Sequence, residues 1–387
     1  MNGCEKVFHT MKEKGMDLAV LLDPADIKYV SGFEVPFWPA WMGDVSNGLP
    51  MVTAIVDAKR EQIQLVASDM YRNKIIRTGI TNASYFRSFT HVESNDVDDN
   101  YKRNLECALG EAADGRKSLV VGIEENYIPE CTMSVIRKVI PQCTFENATQ
   151  VLKSARYIKT IEDIRGLAEA ARVADAAQEK LYEISQNEGN YTELDIWFEV
   201  QKAASHAAGC LTPFVGELVT GPNTGLSDYP LGPTSRKVER GDISIMDISP
   251  RVNGYWADCS NSVVFWSNPN EEQLRYFNAV RDAFEAGMEA IYPGRKFSEV
   301  NEIMKKVYEK HNMTFCSYQG HQIGCNVNEN PRFTFVDDSV IEENMAVCIE
   351  PQMYTGKLGK TGVRLERMLH VTANGAVALN KFPWGIH

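Results

Sequence analysis

The chain has 387 residues, of which 44% are hydrophobic and 24% charged, and 52 acidic residues outnumber 40 lysines and arginines for a formal net charge of −12. This globular composition excludes a disordered, collagen-like or low-complexity protein, and the length suggests two domains. An acidic chain without a basic tract has little to attract a phosphate backbone or an anionic membrane. We therefore expect no nucleic-acid partner and no membrane partner.

Further absences in the sequence bear on location and redox state. No run of about 18 apolar residues occurs, and the first residues lack the pattern of a signal peptide, so we expect a cytoplasmic location. The nine cysteines are scattered and never form a C-x-x-C pair. They are therefore expected to be reduced, mostly buried thiols and not metal ligands.

The first part of the chain alternates helical and strand patterns. Residues 5–14 predict an amphipathic helix, and apolar runs predict strands at 17–22, 50–56, 62–66 and 118–123. No glycine-rich phosphate loop follows these strands, so a nucleotide-binding fold has no support. We predict an α/β domain over residues 1–151.

The second part has longer helical patterns. Apolar residues at spacings of three and four predict a long helix over about 163–184, and further helices are expected at 192–208, 270–291 and 298–311. Thr192 and Asp195 have the spacing of a capping box, which marks a helix start. Because strand-rich hairpins alternate with these helices, residues 152–387 are predicted to form an α+β domain.

The most informative segment is GDISIMDISPRVNGYWADCSNSVVFW, residues 241–266. Two apolar strands flank Asn253-Gly254, a strong signal for a two-residue hairpin turn. In that register Asp247 lies opposite Ser260, and Asp247 and Asp258 are diagonal neighbours on one face. Two carboxylates on an apolar hairpin are costly to bury without a cation or hydrogen-bond donors; the alternative is a pair of surface aspartates on an edge hairpin.

Three more residues of the same character follow. His321 lies between glycines in GHQIG, Glu350 ends a strand-like run, and Glu366 lies in GVRLERMLHVT. The glycines at 356, 359 and 362 predict a second hairpin that brings Glu350 and Glu366 opposite each other. Taken singly, His321 could be a core histidine and Glu366 an ion-pair partner of a neighbouring arginine. Together, four carboxylates and one imidazole can hold two divalent ions, and Mn, Zn, Co or Fe would suit them.

The order Asp247, Asp258, His321, Glu350 and Glu366, in the contexts GHQIG, IEP and GVRLE, resembles the pita-bread metallopeptidase family. The preceding α/β domain is similar to that of the branch containing Xaa-Pro dipeptidases, aminopeptidase P and creatinases. The resemblance implies an α+β pita-bread domain, a curved antiparallel sheet covered by helices, and usually a homodimer.

The resemblance also implies roles for the five residues. Asp258 and Glu366 would bridge two metal ions, Asp247 would complete the site of one ion, and His321 and Glu350 that of the other. Glu350 would act as the catalytic general base that takes a proton from the water activated by the ions.

The sequence departs from the family where substrate-binding histidines are expected. Asp228 and Asn328 stand at or near two such positions, and Ser317 or a neighbour stands at a third. Asp228 and Asn328 are therefore expected to contact substrate, although both could be solvated loop residues. The arginine after Glu366, Arg367, stands where an acidic residue is common, and we expect it to place a cation beside that carboxylate.

An aromatic loop is the last unusual feature. Residues 31–50 contain Phe33, Phe37, Trp38 and Trp41 around several prolines. Trp38 and Trp41, together with Asp228, would suit a cationic substrate, whereas the plainer interpretation is an aromatic dimer contact or loop core.

We therefore predict a binuclear metal-dependent hydrolase that cleaves a C–N bond in a dipeptide or similar small molecule, as Xaa-Pro peptidases do. One alternative is a non-peptidase hydrolase or lyase on the same fold, such as a creatinase-like or ectoine hydrolase-like enzyme acting on a cationic or methylated amine. A second alternative is an inactive homologue that only binds a partner. Inactive homologues have usually lost metal-ligand residues, whereas all five predicted ligands are present in this chain.

Overall fold

A computed structural model describes residues 2–36, 49–88, 95–226, 232–357 and 359–386. The chain divides into two compact units, Met1–Tyr157 and Ile158–His387. Among the described residues, no helix is both long enough and apolar enough to cross a lipid bilayer.

The described residues of the first unit form one six-stranded sheet. Its helices are α1 Gly3–Glu13, α2 Pro24–Ser31, α3 Arg72–Arg77, α4 Val97–Ala113, α5 Glu130–Val139 and α6 Ala148–Tyr157. Its strands are β1 Leu18–Leu21, β2 Val52–Asp57, β3 Gln62–Ser68, β4 Ala83–Phe86, β5 Val120–Ile123 and β6 Thr144–Asn147, in the sheet order β4-β3-β2-β1-β5-β6. The pairs β1–β2 and β2–β3 are antiparallel, and the others are parallel.

The predicted α/β class of this unit is confirmed, but strands β4 and β6 were not predicted. The boundary placed after residue 151 falls inside helix α6, whose buried Val151, Leu152 and Ala155 pack within the first unit. The helical pattern therefore begins before the unit boundary, which lies between Tyr157 and Ile158.

The second unit contains four helices and the remaining strands among its described residues. The helices are α7 Ile161–Gln186, α8 Glu193–Ala208, α9 Glu271–Ala290 and α10 Phe297–Lys310. The strands are β7 Phe214–Thr220, β8 Ser244–Val252, β9 Tyr255–Trp256, β10 Cys259–Asn261, β11 Tyr318–Gln322, β12 Glu329–Thr334, β13 Ala346–Ile349, β14 Gln352–Tyr354, β15 Gly362–Arg364, β16 Arg367–Thr372 and β17 Gly375–Ala378. They form a β10-β8-β7 sheet with β9 paired to β8, a β12-β11-β13-β16-β17 sheet and a β14-β15 pair.

All four helices of this unit lie close to their predicted positions because their starts are encoded locally. Thr192 caps α8 and forms the predicted capping box with Asp195, and Asn270 does the same for α9 with Gln273. Each box satisfies backbone N–H groups that the first helical turn leaves without a partner. The buried faces of α7 and α8 pack with β7, β8, β13 and β16 in one hydrophobic core, and this core supports the strands that carry the candidate site.

Candidate metal centre

The first two carboxylates lie on the predicted hairpin. Asn253 and Gly254 both have positive φ, 50° and 83°, which is the conformation of a type I′ turn. The pairing of Asp247 with Ser260 confirms the predicted register. Asp258 lies between β9 and β10, and the Ser249 hydroxyl donates to its Oδ1 at 3.0 Å. The hairpin thus presents Asp247 and Asp258 on one face.

The second pair of carboxylates, Glu350 and Glu366, lies between two antiparallel strand pairs, β13–β16 and β14–β15. The residue pairing of the first strand pair continues without a shift into the second. Ile349 pairs with Arg367 in one ladder, and Gln352 pairs with Arg364 in the other. Between these pairs, the same register places Glu350 opposite Glu366, as predicted. The Ser260 hydroxyl donates to Glu366 Oε2 at 3.2 Å, so the first hairpin adjoins the second at this carboxylate.

The imidazole of His321 points towards the carboxylates. Its side chain is 2% exposed, and Nδ1 lies 2.8 Å from the carbonyl oxygen of Gln322. That carbonyl can only accept, so Nδ1 carries a proton, and Nε2 is the ring nitrogen that faces the carboxylates and could bind a metal ion. Nε2 lies 3.4 Å from Asp258 Oδ2 and 3.6 Å from Glu350 Oε1. The backbone therefore fixes the ring in the orientation that a metal-ligating histidine needs.

The carboxylates meet closely enough to share a cation. Oxygen atoms of Asp247, Asp258 and Glu366 all lie within 4.8 Å of one another. Among the buried atoms of the described residues, Asp247 Oδ1 and Glu366 Oε1 have no hydrogen-bond partner. Buried oxygen atoms are normally paired, and hard oxygen ligands suit divalent cations. The residues present therefore fit divalent metal ions.

The electrostatics of the cluster lead to the same conclusion. Burial raises the pKa of Asp247 and of Glu366 well above the ordinary range, and the surrounding carboxylates add to both shifts. Burial also raises the pKa of Glu350, although His321 and Arg364 oppose that shift. Carboxylates crowded in this way need positive charge nearby to stay ionised, and divalent cations would supply it.

An arginine that sequence reasoning did not place in the site completes the cluster. The Arg364 side chain is 7% exposed, and its Nη2 lies 2.7 Å from Asp247 Oδ2 and also pairs with Glu217. Its other nitrogens donate to Ser260 Oγ and to the Tyr354 hydroxyl, each at 3.0 Å. Arg364 and Glu366 are two residues apart on an extended segment, so strand alternation alone could have placed both on one face.

The expectation for Arg367 was wrong. Its guanidinium lies over the Trp384 ring, 3.9 Å from the centroid, and donates to the Phe382 carbonyl. Successive side chains of a strand point to opposite faces, so Arg367 lies on the side away from Glu366. The cation beside the carboxylates is Arg364.

Two thiols lie close to the cluster. Burial raises the pKa of Cys348 and of Cys259 well above the ordinary value, so both keep their protons. Cys348 Sγ is near His321 and Glu366, but carboxylate oxygens and imidazole suit ions such as Mn better than a soft sulfur does. All nine cysteines are free thiols, but the expectation that most are buried was wrong. Only Cys259, Cys325 and Cys348 are buried, and the other six are partly or fully exposed.

Of the predicted substrate-binding residues, only Asn328 lies among the described residues. It is exposed, and its Nδ2 donates to the Tyr318 hydroxyl at 3.1 Å. Burial and the neighbouring Glu350 carboxylate raise the pKa of Tyr318, a neighbourhood that the sequence pattern did not reveal. Ser317 is exposed. Asp228, Trp38 and Trp41 lie outside the described residues, so their substrate-binding roles stay predictions.

Fold and site together define a two-unit protein whose second unit carries an acidic cluster suited to divalent metal. Residues 165–373 match metallopeptidase family M24, and residues 4–158 match the creatinase/prolidase N-terminal domain. The chain belongs to metallopeptidase family M24, and it is a metal-dependent hydrolase.

Known proteins similar to this chain include dipeptidases. An Xaa-Pro dipeptidase from Pyrococcus furiosus is 30% identical over 241 residues, 61% of this chain and 67% of that protein. One from Pyrococcus horikoshii is 27% identical over 85% of this chain and 93% of that protein. A crystal structure of a dipeptidase from Pyrococcus horikoshii matches with a TM-score of 0.80 at 22% identity, covering 99% of each chain. These similarities confirm the predicted pita-bread fold and do not favour the non-peptidase or inactive alternatives.

Proposed function

We propose that this protein is a binuclear dipeptidase that hydrolyses Xaa-Pro dipeptides. The observation that carries the proposal is the juxtaposition of Asp247, Asp258 and Glu366, two of which have a buried oxygen without a partner. The names of the similar dipeptidases support the substrate class.

The five residues would hold two divalent ions. Asp258 and Glu366 would bridge them, Asp247 would complete one site, and His321 and Glu350 would complete the other. Mn, Zn, Co and Fe all suit this mixture of carboxylate and imidazole ligands. Ions bound there would supply Lewis acidity, which activates water and polarises the scissile carbonyl.

The protein's own residues then have defined tasks in C–N cleavage. Glu350 accepts a proton from the attacking water and returns it to the amide nitrogen as the C–N bond breaks. His321 is held by the Gln322 carbonyl with Nε2 towards the carboxylates, and Arg364 fixes Asp247. The products are a free amino acid and proline, with one water consumed.

The test is hydrolysis of Xaa-Pro dipeptides by protein loaded with each metal in turn, beside methylated amines and cyclic amidines as alternative substrates. Asp258→Asn and Glu366→Gln should each abolish activity and lower bound metal, whereas the exposed Glu342→Gln serves as the matched control. Unchanged metal content in both site variants would overturn the proposal, as would activity confined to the non-peptide compounds. A homodimer and a cytoplasmic location stay predictions, to be tested by sedimentation and by cell fractionation.

A further inference from the structure

Arg251 lies on the same face of the first hairpin as the two metal-site aspartates. Strand β8 pairs with β10 and with β9 in one unbroken register. Because side chains alternate along a strand, Asp247, Ser249 and Arg251 lie on one face. The Ser249 hydroxyl donates to Asp258 at 3.0 Å, and the Arg251 guanidinium lies 5.8 Å from the centroid of the Trp256 ring. The arginine therefore extends the metal-site face by one further residue pair towards the turn.

The guanidinium of Arg251 is buried without a compensating charge. The residue is 4% exposed, and its Nε has no hydrogen-bond partner among the described residues. Within the same part of the chain, no carboxylate forms an ion pair with it. A guanidinium keeps its proton in proteins, and arginine is almost never fully buried unless it is paired. Since an unpaired buried charge is costly, this site suits an anion that arrives with a ligand.

The position of Arg251 fits the length of a dipeptide. Arg251 and Asp258 are diagonal neighbours on the hairpin, which places their Cα atoms about 7–8 Å apart. An extended dipeptide spans at most about 7 Å. A substrate whose scissile amide lies at the carboxylate cluster can therefore reach Arg251 with a carboxylate of its own. The other arginine of the site, Arg364, already pairs with Asp247 and Glu217.

We propose that Arg251 binds a carboxylate group of the substrate and thereby sets the specificity of the metal centre. This inference rests on the proposed function, because it takes the substrate to be a dipeptide. A guanidinium recognises a carboxylate through two parallel N–H···O bonds, which give geometric selectivity as well as affinity. The carboxylate can come from two sources: the C-terminus, which every dipeptide carries, or an acidic side chain at Xaa.

Three substrates distinguish the two sources. Ala-Pro has only the C-terminal carboxylate, Ala-Pro amide has none, and Glu-Pro has a second one on its side chain. If Arg251 binds the C-terminus, wild-type kcat/KM should be about 10- to 100-fold higher for Ala-Pro than for the amide; if it binds the side chain, Glu-Pro should exceed Ala-Pro by that factor. Arg251→Met should abolish the wild-type preference, mainly through KM, and Arg251→Lys should keep part of it.

Calorimetry provides a readout that does not depend on turnover. L-proline and L-glutamate are titrated into the metal-loaded protein, and Arg251→Met should weaken binding of the preferred acid by at least about 10-fold. Because Arg251 has no ion pair to lose within the described chain, this variant should not lower the melting temperature. Arg275→Met is the matched control. Arg275 also lies beside an aromatic ring, 5.2 Å from the centroid of Tyr276, but it is exposed, so its loss should leave kinetics and binding unchanged.

The outcomes distinguish this inference from the proposed function. A wild-type protein that cleaves all three substrates equally well, or an Arg251→Met variant that keeps the wild-type preference, would overturn the role of Arg251 and leave the dipeptidase intact. A wild-type protein that cleaves no dipeptide would refute the proposed substrate. Calorimetry would then decide the role of Arg251: weaker binding of an amino acid by the variant would support it, and equal binding or none would refute it.

Discussion

Replacing Arg364 by methionine should destabilise the second unit severely. The arginine is buried and joins Asp247, Glu217, Ser260 and Tyr354. Methionine has a similar length but no charge and no donors, so two buried carboxylates lose their common cation. Breaking one buried ion pair by removing a partner costs about 3–5 kcal/mol. Since Arg364 serves two carboxylates, we expect a loss at the upper end of that range.

The assay is urea unfolding at pH 7 in the presence of a chelator. Four of the six tryptophans belong to the second unit, namely Trp197, Trp256, Trp266 and Trp384. Tryptophan fluorescence therefore reports mainly the unfolding of that unit. A second variant, Glu217→Gln with Arg364→Met, removes one of the abandoned charges. The double variant should lose at least about 1 kcal/mol less free energy of unfolding than Arg364→Met alone. The effects of substitutions at contacting residues differ from additivity by about this amount.

A surface arginine provides the control. Arg172 pairs with Glu169 at 2.6 Å, but both side chains are more than 40% exposed. Exposed ion pairs contribute about 0–1 kcal/mol, so Arg172→Met should cost no more than that. The reasoning is refuted if Arg364→Met loses less than about 1 kcal/mol, or if the Glu217→Gln substitution brings no recovery.

Three further predictions concern other parts of the chain. A Cβ at Gly320 would lie 2.1 Å from the Cys348 carbonyl oxygen. Gly320→Ala should therefore lower the free energy of unfolding in urea by more than about 2 kcal/mol. Gly294→Ala is the control because nothing lies near a Cβ there, and an equal loss in the two variants would contradict the prediction. Burial and Asp26 raise the pKa of Glu124 to about 9, above its value near 4.5 in the unfolded chain. Folding therefore favours the protonated carboxyl group. Its contribution to the free energy of unfolding declines as the pH rises from 4.5 to 9. Glu124→Gln should therefore flatten the fall in melting temperature between pH 5 and pH 8, and an unchanged slope would count against the shift. Cys348→Ala should leave the metal content by mass spectrometry unchanged, because four carboxylates and one imidazole already supply ligands for two ions, and a lost ion would show otherwise.

Features encoded by neighbouring residues were predictable. The Asn253-Gly254 turn sets the register that aligns Asp247 with Ser260, and Thr192 with Asp195 sets the start of α8. In each case the signal lies within a few residues and has a direct conformational cause. The short strands β4 and β6 lack such signals, since each has only four residues and neither shows clear alternation of apolar residues.

Features that depend on distant pairings were not predictable. Glu217 faces Asp247 only because β7 pairs with β8, and nothing near Glu217 in the sequence indicates it. The rings of Tyr318 and His321 stack only because the strand register shifts beside Gly320.

A single sequence showed which residue types were available for a metal site, and strand alternation could have placed Arg364 on the face of Glu366. The pairing of Arg364 with both Asp247 and Glu217 became visible only with the paired strands.

The central claim is that the acidic cluster of the second unit binds two divalent ions. Anomalous diffraction from crystals grown with Mn²⁺ measures this directly. We predict two peaks about 3.5–4 Å apart, both in contact with Asp258 and Glu366, one also contacting Asp247 and the other His321 and Glu350. A map with no anomalous peak within this cluster at saturating Mn²⁺ would contradict the account.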